Sequence, residues 1–250
     1  MKIPKKISPD NIKDSIIEVR YTSKVPFEVA IGLFYKSLDD TYMYSSRPLT
    51  KQQVTNPLPI NNLGQIEIQL SNRPLFYNDK IKIELQPNSI IFNCLNEYLT
   101  WSVYRAEISK VLTQISDAGV IDNFIRIGVR YISEYQNTDL KDCVKFSFTF
   151  GMPEIKSKTH SFHSEFNYDN LRVNLNLKNN LPVLGTKNLS EQIVVTPVSY
   201  IDIDVIMDNI SEVSYESILE KTDTVHLKQK EVFFSILKEN FIESLHPIYE

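Results

Sequence analysis

The chain has 250 residues, 42% hydrophobic and 23% charged, with a formal net charge of −4. That balance is globular rather than disordered, and it leaves no basic excess for phosphate neutralisation, which argues against nucleic acid as a partner. Glycine is scarce, six residues where average usage would give about 17, and no G-x-G-x-x-G or G-x-x-x-x-G-K-[ST] occurs, which argues against dinucleotide enzymes and P-loop NTPases.

Lys2, Lys5 and Lys6 form the densest basic cluster, a solvated tail. Cys94 and Cys143 stand in no metal-ligand spacing and read as small buried apolar residues of a reduced compartment. No apolar run follows the N-terminal charges, and no stretch approaches the roughly 20 apolar residues of a membrane span. A cytoplasmic protein with no membrane contact and no cofactor is the expectation.

Ile16 to Thr22 is rich in β-branched residues and predicts a strand. Pro26 then opens a helix through Leu38, with Phe27, Ala30, Ile31, Phe34 and Leu38 at helical spacing. Three prolines with Asn and Ser residues make 41–63 a long loop. Gln65–Leu70 and Lys80–Leu85 alternate as strands, and Ile90–Cys94 resumes after the turn Gln86-Pro87-Asn88-Ser89, giving a hairpin. From Asn96 to Ile115 the period becomes helical. Tyr98, Trp101, Val103, Tyr104, Ile108, Val111, Leu112 and Ile115 lie on its inner side, Arg105, Glu107 and Lys110 away from it, and Gly119 marks its stop.

The order then begins again. Phe124–Tyr135 predicts a strand, followed by a polar stretch with Asp139, Lys141 and Asp142 and an alternating strand Val144–Phe150. Ser161–Tyr168 and Leu171–Leu177 form a hairpin across Asp169-Asn170. Ile193–Val195 and Tyr200–Met207 read as two strands separated by Pro197. A short helical piece over Val213–Leu219 precedes a helix over Val225–Leu245, with Thr222 or Thr224 as its cap and Leu227, Val232, Phe233, Ile236, Leu237, Phe241 and Leu245 on its inner face. The fold class is therefore α+β, in two similarly ordered halves (1–119 and 120–250), each a curved antiparallel sheet packed by one long amphipathic helix. Ile17-Glu18-Val19-Arg20-Tyr21 is echoed in Ile127-Gly128-Val129-Arg130-Tyr131.

Several of these segments carry a resemblance. Ile81-Lys82-Ile83-Glu84-Leu85-Gln86-Pro87-Asn88 with Ile91-Phe92-Asn93 resembles the "QP(N/D)" signature of a sporadically distributed, uncharacterised prokaryotic family. An aromatic helix follows in that family, as Tyr98, Trp101 and Tyr104 do here. Ile127-Gly128-Val129-Arg130-Tyr131-Ile132 is similar to its "(I/L)G(L/V)RY(I/V)" strand, and His226 through Phe233, Phe234 and Leu237 to its "H…F…L" ending. The resemblance spans nearly the whole chain in matching order. It implies no particular activity. The family's patchy distribution implies an accessory role, in defence- or toxin-linked loci.

The candidate ligand-binding residues are Arg20, Arg130, Tyr131, Trp101, Tyr104 and His226. Arg20 and Arg130 occupy equivalent strand positions, and a planar guanidinium there either pairs with Glu18, Glu84 or Glu134 or holds an anion. Trp101 and Tyr104, at i and i+3, suit core or interface anchors more than ligand stackers, and His226 heads the last helix, where a local hydrogen bond is the simplest role. His160 and His163 lack the usual metal spacing. Asp202 and Asp204 share one strand face, as the exposed side of a half-buried strand or as a cation site. No nucleophile motif occurs and no metal or catalytic residue is assigned. The expected function is a non-catalytic protein-interaction or regulatory module with a protein partner or a second copy. The alternatives are a binder of small acidic ligands with a sheet–helix cavity, or a metal-dependent hydrolase.

Overall fold

Alternating β-branched and polar residues produce long strands, and these strands meet in one layer. The structure, a computed structural model, describes residues 2–46, 74–146, 159–187 and 192–249, with the backbone alone for 184–187 and 192–195. In chain order its elements are β1 (Ile12–Thr22), α1 (Phe27–Ser37), β2 (Met43–Ser45), β3 (Leu75–Tyr77), β4 (Ile81–Gln86), β5 (Ser89–Cys94) and α2 (Trp101–Ser116). Then come β6 (Asn123–Gln136), α3 (Leu140–Cys143), β7 (His160–Tyr168), β8 (Leu171–Lys187), β9 (Gln192–Met207), α4 (Tyr215–Ile236) and α5 (Glu239–Ser244). The nine strands form one sheet in the order β2-β3-β4-β5-β1-β6-β9-β8-β7, antiparallel throughout. One sheet per half was the expectation. Instead a single sheet forms, because β1 and β6 pair along their lengths, from Ile12↔Ser133 to Thr22↔Asn123.

Side-chain alternation gives the sheet two unlike faces. Ser15, Ile17, Val19 and Tyr21 of β1 are buried together with Ile127, Val129, Tyr131, Ser133 and Tyr135 of β6. Tyr104, Ile108, Val111, Leu112 and Ile115 of α2 and Ile218, Leu219, Val225, Val232 and Phe233 of α4 belong to the same apolar cluster. Fully burying each large side chain of this kind contributes roughly 1.5–3 kcal/mol, so this one face holds most of the stabilising area. The opposite face carries Glu18, Arg126, Arg130 and Asp204, all half-buried, and the exposed Arg20. Among the described residues no helix is long and apolar enough to cross a membrane.

Local chemistry accounts for the turns. Asn88 takes φ 60 in the two-residue turn between β4 and β5, and Asp169 and Asn170 take φ 47 and 65 between β7 and β8. Asn and Asp tolerate this left-handed region, and two consecutive residues there make the hairpin turn that matches strand twist. Gly119, at φ 66, follows the end of α2.

Other expectations need correction. The short piece expected over Val213–Leu219 and the helix expected from Val225 are one helix, α4, which begins at Tyr215 with the side chain of Ser214 accepting the Ser217 N–H as its cap. Thr222 and Thr224 lie inside it, their hydroxyls donating to the Ile218 and Glu220 carbonyls. That back-bonding satisfies residues which otherwise favour caps. The helix stops at Leu237, whose extended backbone separates α4 from α5. Pro197 does not divide β9. It lies opposite Pro182 in the β8–β9 ladder, past the end of the β6–β9 pairing at Gln136↔Val198, and an edge of that kind tolerates the missing donor. Val103 and Leu227, assigned to inner helix faces, are exposed (40% and 56%), whereas Glu107 is buried. The polar stretch after β6 contains the short helix α3, and the predicted loop contains β2. Val144 makes an isolated bridge to Leu237. The strand expected at 65–70 and the end of the one expected at 144–150 lie outside the described residues.

Candidate functional site

The six candidate residues separate onto the two faces of the sheet. Four meet on the helix side. Trp101, the first residue of α2, stacks on His226 of α4 at 4.0 Å between ring centroids and 12° between planes. Tyr131 of β6 brings its hydroxyl to His226 Nδ1 at 3.2 Å, and Tyr98 approaches the Tyr131 hydroxyl at 3.5 Å. Tyr104 packs edge-on against Trp101 and donates to the Ser15 carbonyl at 3.3 Å. Asp223 joins the two helices from the side, accepting from Trp101 Nε1 at 3.0 Å and from Arg105 Nε at 2.8 Å.

His226 does not head its helix. It sits near the middle of α4 and is 5% exposed. Burial, with the nearby Lys230 charge adding to it, lowers its pKa to about 3, so the imidazole is neutral at ordinary pH. Burial also raises the Tyr131 and Tyr104 phenols well above their usual value. This seam is a set of neutral, mutually satisfied rings fastening α2 and α4 to β6. Its chemistry is packing and hydrogen bonding rather than proton transfer.

A second satisfied polar centre lies farther along α2. Glu107 accepts from Lys80 Nζ at 2.7 Å, Asn78 Nδ2 at 3.2 Å and the Tyr42 hydroxyl at 3.5 Å. Burial opposes ionisation there, but the Lys80 and Asn78 bonds outweigh it and leave the carboxyl below its usual range.

Arg20 and Arg130 lie on the outward face, and both make internal ion pairs. Arg20 Nε donates to Glu18 Oε1 at 2.9 Å, one of its three expected partners. Arg130 grips Asp202 with two bonds, Nε to Oδ1 and Nη2 to Oδ2, each 2.8 Å. Asp202 was not among the expected partners. Asp204 is directly opposite Arg130, yet the guanidinium reaches past it, two residues along β9, to Asp202. Asp202 is 8% exposed, so it is not the wet carboxylate that simple alternation implies. Asp204 is half-buried, with Asn174 Nδ2 3.5 Å from Oδ2. Burial raises its pKa against the opposing pull of Asn174, Arg130 and Arg126.

The residue most clearly missed is Arg126. It stands directly opposite Arg20 in the β1–β6 ladder. Its Nη1 is 2.9 Å from Glu18 Oε2 and its Nε 3.4 Å from Asp208 Oδ1. Asp208 also accepts from Arg172 Nε and Nη2, at 3.2 and 3.0 Å. Only the pairing register could have revealed this cluster. Arg20 and Arg126, with Ile125, Asp208, Asn209 and Ile210, line an open cleft of about 540 Å³. A second, of about 580 Å³, lies near the C-terminus between Tyr135, Ile12 and Phe241. Among the described residues no group of three or more His, Cys, Asp or Glu is placed to hold a metal ion.

No protein-family model matches the chain, and no curated protein matches it.

Proposed function

We propose that the chain is a non-catalytic interaction module that associates through its outward sheet face with the same face of a second copy. The observation that carries this is the charge array on that face. Arg20, Arg126, Arg130 and Arg172 are interspersed with Glu18, Asp202, Asp204 and Asp208 around the neighbouring strands β1, β6, β9 and β8. A mixed field of this kind is complementary to itself under a two-fold rotation, whereas a nucleic acid needs one sign in excess. On the other face, Trp101, Tyr104, Tyr131 and His226 are engaged with one another, which favours a scaffold role for them over a ligand-contacting one. A hydrolase using Asp202 is disfavoured because both of its oxygens are held by Arg130.

The two-half plan, 1–119 and 120–250, supports the same reading. β1 pairs with β5, and α2 follows β5; β6 pairs with β9, and α4 follows β9. With β1 against β6, both halves would contribute to the one outward face that self-association uses. Membership of the sporadically distributed prokaryotic family, with an accessory role in a defence- or toxin-linked locus, fits a module of this sort.

Sedimentation velocity over rising protein concentration tests the proposal. The expected result is a dimer that weakens with added salt and is lost in Arg172→Glu. A monomer at every concentration, or a dimer indifferent to that change, would refute it.

A further inference from the structure

We infer that the cleft at the β1–β6 end of the outward face binds a small oxyanion, a carboxylate or phosphate group, on the guanidinium of Arg20 backed by that of Arg126. The inference concerns the single chain and does not rest on self-association.

The register itself is unusual. Arg20 and Arg126 are cross-strand partners on the same face, and like charges directly opposite each other are destabilising. Glu18 relieves them only in part, giving one oxygen to each, Oε1 to Arg20 and Oε2 to Arg126. Asp208 is divided between Arg126 and Arg172. Among the described residues, these three guanidiniums therefore pair within 4 Å with two shared carboxylates and with Glu165, 3.6 Å from Arg172 and 56% exposed, while Asp204 acts on Arg126 and Arg172 from farther away.

The pairing is incomplete on the donor side as well. Arg126 Nε is buried with Asp208 Oδ1 3.4 Å away, an ion-pair contact that lacks hydrogen-bond geometry among the described residues. Arg20 spends Nε on Glu18, and its side chain is 49% exposed. Its terminal nitrogens form the planar fork that matches a carboxylate or phosphate with two parallel bonds. Asn209, held at φ 58, lines the same cleft. Asp208 lines it too, but Arg172 holds its charge with bonds at 3.0 and 3.2 Å. An oxyanion would supply an acceptor for the terminal nitrogens of Arg20, whose hydrogen bond to Glu18 uses Nε alone.

Isothermal titration of the monomeric chain with inorganic phosphate and, separately, with citrate tests the inference, using sodium chloride at equal ionic strength as the reference. Saturable heat with either anion beyond the chloride response is expected, and whichever binds more tightly identifies the ligand as phosphate- or carboxylate-bearing. Arg20→Gln, a change at an exposed side chain, should weaken binding at least tenfold with an unchanged thermal midpoint, and Arg20→Lys should weaken it less. No saturable heat, or equal binding by wild type and Arg20→Gln, would overturn the inference.

Discussion

Acidification should destabilise this protein through His226. The imidazole has a pKa of about 3 in the folded chain, against an ordinary value of 6.5. A depressed histidine pKa means that the unfolded chain takes up a proton below 6.5 while the folded chain does not until about pH 3. The stabilisation is therefore complete above pH 6.5 and is lost as pH falls from there towards 3. Each pH unit in that window costs about 1.4 kcal/mol, so a fall to pH 5 should remove about 2 kcal/mol from this group alone. The reference is His226→Phe, which keeps an aromatic ring against Trp101 and Tyr131 but cannot titrate. Urea unfolding of both proteins at pH 7 and pH 5 gives the comparison, with the carboxylates and the other histidines common to both. Wild type should lose about 2 kcal/mol more than the variant. Equal losses, or a His226 titration midpoint near 6.5 by NMR, would refute the reasoning.

Asp202→Ala strands the Arg130 guanidinium, which is 41% exposed; partial hydration limits the expected loss to about 1–2 kcal/mol by urea unfolding. Gly128→Ala should raise the thermal midpoint, corresponding to about 0.5 kcal/mol, because the added methyl meets Asp204 Oδ1 at 3.6 Å and Glu18 at 3.8 Å, ordinary contacts, and the unfolded chain loses freedom. Glu107→Ala leaves Asn78 and Lys80 without their shared acceptor and should cost about 2 kcal/mol by the same unfolding measurement. Phe92→Ala, at a fully buried strand position, should cost about 3–5 kcal/mol, read as a lowered urea midpoint at constant slope.

Elements governed by local pattern were legible in the sequence. β1, α1, the β4–β5 hairpin, α2, β6 and the β7–β8 turn follow from alternation, helical spacing and the Pro87-Asn88 and Asp169-Asn170 pairs. What failed depends on long-range pairing. Pro197 sits within β9 because β6 has ended there and β8 alone pairs with it, and nothing near residue 197 signals where β6 ends. Glu107 looks like a solvent-facing helix residue until β4 and the turn before it bring Lys80 and Asn78 beneath it. The candidate site behaved in the same way. Aromatic spacing placed Trp101 and Tyr104 as anchors, but their stacking with His226 required α4 to run unbroken through Thr222 and Thr224. Arg126 escaped notice because its importance comes from facing Arg20 across 106 positions of chain.

Cross-linking with lysine-reactive reagents, using a mixture of light- and heavy-isotope chains to separate links between copies from links within one, tests the self-association of the outward face most directly. Lys82 and Lys178 lie on that face, and Lys110 and Lys221 on the helix layer. The account predicts mixed-isotope links joining Lys82 and Lys178 of one copy to those of another, and suppression of these links in Arg172→Glu. Links between copies confined to Lys110 and Lys221, or none at all, would contradict it.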